Sequence, residues 1–194
     1  MRRLALAIVL VAALAAPARA DFDDGVVAYI SGDYATALRE YRLAAEQGDA
    51  SAQNNLGVMY AMGRGVAQDS ALAAQWYRRA AEQGDARAQY NLGFMYADGR
   101  GVPQDYALAV KWYRLAADHG DAGAQNNLGF MYLNGRGVSK DDVQAHLWFD
   151  LAAAQGYKIA AVNLEQVARE MSVAEVTKAQ EMARQWLAKH QAEP

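Results

Sequence analysis

Apolar residues follow two patterns along this chain. Residues 4–16 form an uninterrupted apolar run, whereas from about residue 22 onward apolar side chains recur three and four positions apart, broken by glycine and aspartate. In the segment opening at Asp49, the side chains of Leu56, Met59 and Tyr60 lie at i, i+3 and i+4 and share one helical face. Asp49 is placed to cap that helix, because its carboxylate can accept from the free amides of the first turn. Gly63 and Gly65 end it, since glycine enters the left-handed conformation without steric penalty. Asp69 then caps a second helix with the stripe Ala73, Trp76, Tyr77, Ala80 and Ala81, and Gly84 closes it. The pattern predicts two antiparallel helices and no strand.

The hairpin recurs. Residues 49–84, 85–120 and 121–156 align without a gap, and 19 of the 36 positions are identical in all three, too many for chance similarity between unrelated helices. A mid-helix glycine recurs at Gly57, Gly93 and Gly129 although it costs about 1 kcal/mol relative to alanine. Its recurrence predicts close approach of the partner helix. Residues 21–48 read as a shorter hairpin with its turn at Gly32-Asp33-Tyr34, and residues 41–48 echo 77–84. Residues 157–194 read as capping helices: one from Tyr157 to about Glu170, then a last helix opened by the capping box Ser172-x-x-Glu175 and running past Trp186. Atypical end units are expected where a stack must be shielded. The fold class is all-α.

The motif Ala-x-Ala-Gln-x-Asn-Leu-Gly-x-Met-Tyr, then Gly-Arg-Gly-Val-x-x-Asp, Ala-x-x-Trp and Ala-Ala-x-x-Gly resembles the SEL-one-like repeat (SLR), a relative of the tetratricopeptide repeat. Three full copies carry the resemblance over residues 49–156, and the flanks extend it over essentially all of the chain after residue 20. It implies a right-handed α-α superhelix, a solenoid, that acts as a non-catalytic adaptor binding proteins or peptides on its concave face. Bacterial relatives are implicated in envelope assembly, exopolysaccharide export, motility and host contact. In a tetratricopeptide-like hairpin the first helix lines the concave surface. That places Ser51, Asn54, Val58 and Met62 inward in the first full unit, Arg87, Tyr90, Phe94 and Asp98 in the second, and Asn126, Phe130, Leu133 and Asn134 in the third. Val58, Phe94 and Phe130 would form an apolar centre with polar groups around it, an anchor-and-rim composition suited to a peptide. The alternative is that these rings only pack across adjacent first helices. Cysteine-rich SLR relatives have been linked to penicillin binding and β-lactam hydrolysis, but they staple each hairpin with a disulfide. This chain has no cysteine, so no residue inherits a catalytic role. A glycan-binding groove in polysaccharide assembly is a further alternative.

Charge and chemistry narrow the field. Met1-Arg2-Arg3, the apolar run and Ala18-Arg19-Ala20 together read as a signal peptide over residues 1–20, cut before Asp21. Thirteen apolar residues make a helix of roughly 20 Å, short of a hydrocarbon core of about 30 Å, so no stable membrane insertion is expected. The expected location is the periplasm or the medium. Without residues 1–20, which hold Arg2, Arg3 and Arg19 and no acid, 16 basic and 22 acidic side chains remain, a net charge of −6. That argues against nucleic acid as a partner. The absence of cysteine excludes a disulfide framework and a thiol nucleophile. His119, His146 and His190 have no ligand spacing, so neither metal nor cofactor is expected. The serines lack a nucleophile elbow.

The three Gly-Arg-Gly turns lack the strand and lysine of a phosphate loop. Their arginines, Arg64, Arg100 and Arg136, should line one edge. They either complement helix C-termini, worth about 0.3–1 kcal/mol each, or bind an anionic polymer or acidic peptide. Trp76, Trp112 and Trp148, with Tyr60, Tyr96 and Tyr132, are expected in the repeat core. Gln53, Asn55 and their equivalents are expected to be structural amides that satisfy loop carbonyls between units.

Overall fold

The computed structural model describes residues 22–191, so the signal-peptide reading and the cut before Asp21 lie outside the described residues. Those described residues form ten helices and no strand. They are α1 (Phe22–Ser31), α2 (Tyr34–Glu46), α3 (Ala50–Met62), α4 (Ser70–Glu82), α5 (Ala86–Asp98), α6 (Tyr106–Asp118), α7 (Ala122–Asn134), α8 (Asp142–Ala154), α9 (Lys158–Ala168) and α10 (Val173–Gln191). Helices α1/α2, α3/α4, α5/α6 and α7/α8 pair as hairpins, and each hairpin packs on the next through α2·α3, α4·α5 and α6·α7. The result is an all-α solenoid. Helix α9 continues the stack on α8, and α10 folds back over α8.

Local chemistry explains the boundaries. Asp49, Asp69, Asp85, Asp105, Asp121 and Asp141 each accept from the backbone amide three residues on, at 2.7–2.9 Å. The capping box also forms: the Ser172 amide donates to Glu175 at 2.8 Å, and the Glu175 amide donates to the Ser172 hydroxyl at 3.3 Å. Gly101 adopts φ +70°, and a Cβ there would strike the carbonyl of Ser70 at the start of α4. Each Gly-Arg-Gly turn is thus pressed against the preceding hairpin, with Gly65 against Tyr34 and Gly137 against Tyr106.

Inside each hairpin the mid-helix glycine receives an aromatic ring. A Cβ on Gly93 would come within 2.8 Å of the Tyr113 ring, and Gly57 meets Tyr77 and Gly129 meets Phe149 in the same way. Gly25 and Tyr41 repeat the contact in the first hairpin despite its shorter turn. Two polar ladders join neighbouring hairpins. The amides of Gln53, Gln89 and Gln125 donate to the carbonyls of Ala45, Ala81 and Ala117 at 3.1–3.2 Å. Arg42, Arg78 and Arg114 donate to the phenol oxygens of Tyr60, Tyr96 and Tyr132.

Burial departs from expectation at two aromatic positions. Trp112 and Trp148 are buried, but Trp76 and Tyr132 are only half-buried. Helix α10 covers α8 and brings Trp186 to 6.2 Å from Trp148. No such cover reaches α4, where Trp76 is capped instead by the Arg79 guanidinium, 4.5 Å from its ring centre. Helix α9 also runs only from Lys158 to Ala168, shorter than the expected reach to Glu170.

One rung of the glutamine ladder is broken. Gln83 donates to Gln53 at 2.7 Å and Gln155 to Gln125 at 2.8 Å. The equivalent donor position in the middle unit is His119, and the buried Gln89 Oε1 has no partner. An unsatisfied buried acceptor costs about 1–3 kcal/mol. Replacing His119 with glutamine supplies the donor seen in the other two units. His119→Gln is expected to raise stability by about 1 kcal/mol, read as a higher urea midpoint at unchanged slope. An unmoved midpoint would mean that solvent already satisfies Gln89.

Candidate functional site

The first helices of the hairpins lie side by side, and a pocket opens between each adjacent pair. Between α1 and α3 the lining is Phe22, Val26, Tyr29, Tyr41, Asn55 and Val58, closed by Arg87 from α5. Between α3 and α5 it includes Met62, Tyr77, Asn91, Phe94 and Arg100. Between α5 and α7 it includes Phe94, Asp98, Tyr106, Tyr113, Asn127, Phe130 and Arg136. Their volumes are about 300, 200 and 190 Å³. All eight residues of the second pocket have their 36-residue equivalents in the third. The repeat therefore builds the same recess again and again.

Each recess has a common floor and wall. Tyr41, Tyr77 and Tyr113 form the floor with the rings that pack on the helical glycines. Burial pushes the phenols of Tyr77 and Tyr113 well above the ordinary tyrosine range, and that of Tyr41 upward too, partly offset by a hydrogen bond with Asn55. They stay protonated and neutral. Asn55, Asn91 and Asn127 form the wall, three residues before Val58, Phe94 and Phe130 on the same face. Phe94 and Phe130 are each 41% exposed, high for a large apolar ring; Phe94 stands between the second and third recesses and Phe130 at the far side of the third.

The residues singled out from the sequence divide. Val58 and Arg87 meet at the first pocket, Met62 and Phe94 at the second, and Phe94 and Phe130 at the third. Arg87 is tied to Asp85 at 3.2 Å and donates to Ser51 at 3.2 Å. Tyr90, Asn126 and Leu133 line none of these three pockets. Tyr90 is half-buried, crossing Gly123 and lying 6.1 Å from the Tyr113 ring. Asn126 is buried and accepts from Asn163 at 3.0 Å, just as Asn54 accepts from Asn91. Leu133 packs into the small cluster of Phe149 and Val167 that seats α9.

The asparagine wall was not anticipated. Gln53 and its equivalents do satisfy backbone carbonyls between units, but Asn55, Asn91 and Asn127 face the recesses. Their helical phase, one turn before Val58, Phe94 and Phe130, was the available signal.

Few groups here could do chemistry. Among the described residues no three or more histidine, aspartate or glutamate side chains converge as metal ligands. His146 is buried on α8, held toward the neutral form by desolvation, and lines none of the three recesses. Among the described residues no helix is long and apolar enough to cross a membrane.

A solenoid of helical hairpins with recesses repeated along its first helices is the architecture of a repeat-built interaction surface. The chain belongs to the Sel1 repeat family, whose pattern matches residues 23–49, 50–85, 86–121 and 122–157. Proteins built from these repeats are typically protein-interaction scaffolds. Among solved structures, it is similar to a protective antigen of uropathogenic Escherichia coli displaying an SLR fold. The two share 36% identity at a TM-score of 0.74, over 80% of this chain and 33% of that one. It is also similar to a Sel1 repeat protein from Oxalobacter formigenes, with 35% identity, a TM-score of 0.71, and coverage of 74% of this chain and 59% of that one. The aligned part thus spans about a third of the first and three fifths of the second. No curated protein matches the chain.

Core and groove aromatics should separate on mutation. Trp112→Ala removes a buried ring and is expected to cost about 3–5 kcal/mol. Phe94→Ala removes a ring that is 41% exposed and is expected to cost about 1 kcal/mol or less. Paired urea melts read the difference. Equal losses would make Phe94 a packing residue and remove it from the groove.

Proposed function

We propose that this protein is a non-catalytic scaffold that holds an extended segment of a partner protein along the recesses between α1, α3, α5 and α7. The observation that carries this reading is the recurrence of one recess at the repeat spacing, with exposed Phe94 between the second and third and exposed Phe130 at the end. A periodic surface suits a ligand that is itself periodic, and a peptide backbone is one. A chain laid across successive equivalent recesses gains affinity from each, while the prebuilt rigid surface limits the ordering cost to the peptide. Among the described residues no acid-base pair, activated nucleophile or cluster of metal-ligating side chains supports an enzymatic reading. We infer further that the scaffold works after export, in the periplasm or the medium, on the strength of the charged start, apolar run and Ala18-Arg19-Ala20.

Photocrosslinkers placed at Val58, Phe94 and Phe130 in the living envelope test both parts. Crosslinks are expected on a single partner segment, in linear order along its sequence, and to be absent from a label at the exposed Gln75 on α4. Scattered or unordered crosslinks would defeat the groove reading. The same preparation should show an N-terminus of Asp-Phe-Asp-Asp, and a protein still starting at Met1 would defeat export.

A further inference from the structure

The groove carries cations that its own chain leaves unanswered. The linings of the three recesses contain Arg87, Arg100 and Arg136 against a single acid, Asp98, in a chain whose net charge is −3. Arg87 is satisfied by Asp85. Arg100 makes no side-chain hydrogen bond or ion pair with the described residues, and lies beside Ser70, Tyr77 and Phe94. Arg136 is held only by rings, 5.5 Å from the centre of Tyr106 and 5.6 Å from that of Phe130. Arg64, the third of the set, borders the first recess, resting over Tyr29 and Tyr34 and donating to the Tyr29 hydroxyl.

All three follow the C-cap glycine of a first helix, where a cation complements the helix dipole. None of the guanidiniums donates to a carbonyl there, so among the described residues the forks of Arg100 and Arg136 stay free for a ligand. A guanidinium lying over an aromatic face keeps its in-plane N–H fork free, the arrangement that takes a carboxylate in two parallel hydrogen bonds. Arg100 shares its recess with Asn91 and the neutral phenol of Tyr77, and Arg136 with Asn127 and that of Tyr113.

Resting on the groove reading above, we propose that the occupant is an acidic peptide with a carboxylate at every third residue, bound in a polyproline-II-like conformation. The spacing follows from geometry. Successive first helices touch directly, Arg87 of α5 meeting Ser51 of α3 and Asn91 meeting Asn54. They stand one helix-packing distance, about 8–10 Å, apart, and arginines that recur once per hairpin step by about as much. A polyproline II helix has three residues per turn and rises about 3.1 Å per residue, returning the same face every 9 Å or so. One carboxylate then meets Arg64, Arg100 and Arg136 in turn, and an apolar residue between acids enters the recess beside Phe94 or Phe130. A β-extended peptide would send alternate acids away from the arginines, because its side chains alternate sides.

The test uses fluorescein-labelled twelve-residue peptides and anisotropy with the purified protein. They are four repeats of Glu-Pro-Leu, four repeats of Gln-Pro-Leu, and a peptide of the first composition with its four glutamates consecutive. The Glu-Pro-Leu peptide is expected to bind at least about tenfold tighter than either control and to weaken as salt is raised. Arg100→Gln and Arg136→Gln should each lose about tenfold for that peptide alone, the effect of removing one charged hydrogen-bond pair, with unchanged urea midpoints. Equal binding of the neutral peptide, or indifference to both substitutions, would overturn the acidic occupant and leave the groove standing. Equal binding of the clustered-glutamate peptide would overturn the one-in-three register. Polygalacturonate competing more strongly than the peptide would replace it with an anionic polysaccharide. No saturable binding up to millimolar peptide would overturn the proposal outright. If peptide binds but Phe94→Ala and Phe130→Ala leave its affinity unchanged, the groove reading fails together with it.

Discussion

The contact between a helical glycine and an aromatic ring governs this molecule. Gly57, Gly93 and Gly129 each accept a ring from the facing helix so closely that a single methyl group would meet it at 2.7–2.8 Å. Glycine in a helix is unfavourable by about 1 kcal/mol relative to alanine, and burying most of a tyrosine or phenylalanine ring, worth about 1.5–3 kcal/mol, outweighs that. The contact sets the separation of the two helices and the level at which the ring sits. Because it recurs once per unit, every hairpin has the same shape, and identical hairpins stack with a constant step. The first hairpin supports this account: its turn is shorter, yet Gly25 still faces Tyr41.

The same ring also makes the recess. Drawn onto the glycine, Tyr77 or Tyr113 sits deep between first helices, and the surface above it is left open. Its phenol remains a neutral group because burial disfavours the phenolate. Core packing and groove chemistry therefore share a side chain. Removing the ring would damage both, so groove function is better probed at the rims, where Phe94, Phe130 and Arg100 contribute little to the core.

How much was legible follows from what each feature depends on. Caps, turns and helix pairing depend on residues close in sequence, and Asp49, Gly63 and Gly57 each announced their role. The concave positions followed from helical phase, which placed Val58, Phe94 and Phe130 together. Leu133 and Asn126 were harder, because their surroundings are set by α9, whose packing on α8 is a tertiary event. Trp76 and Trp148 occupy equivalent positions in the sequence, yet only Trp148 meets Trp186 of α10, which returns over one end of the stack. The broken rung at Gln89 was visible as His119 standing where Gln83 and Gln155 stand, but its cost needs the partner, 30 residues away, to be known. Repetition makes the ordinary unit easy to read and hides departures from it.

The arginine of the Gly-Arg-Gly turn separates backbone constraint from chemistry. Both glycines are required: Gly99 and Gly101 take φ +70°, and Gly101 is jammed against the carbonyl of Ser70. No non-glycine residue among those described has positive φ, so the position between them is open to any L-residue on backbone grounds. Just beyond, the turn does vary: Ala67, Pro103 and Ser139 are equivalent, as are Gln68, Gln104 and Lys140. Arginine alone occupies the free position in all three units, although the surface it borders changes from Tyr34 to Ser70 to Tyr106. Stacking on a ring cannot be its common purpose, since Arg100 has no ring in the Ser70 position to stack on. The glycines press each turn onto the preceding hairpin, and that fixes where the guanidinium is delivered, at the mouth of the recess between two first helices. What the three arginines share is a place in the groove and a charge that the chain does not neutralise there.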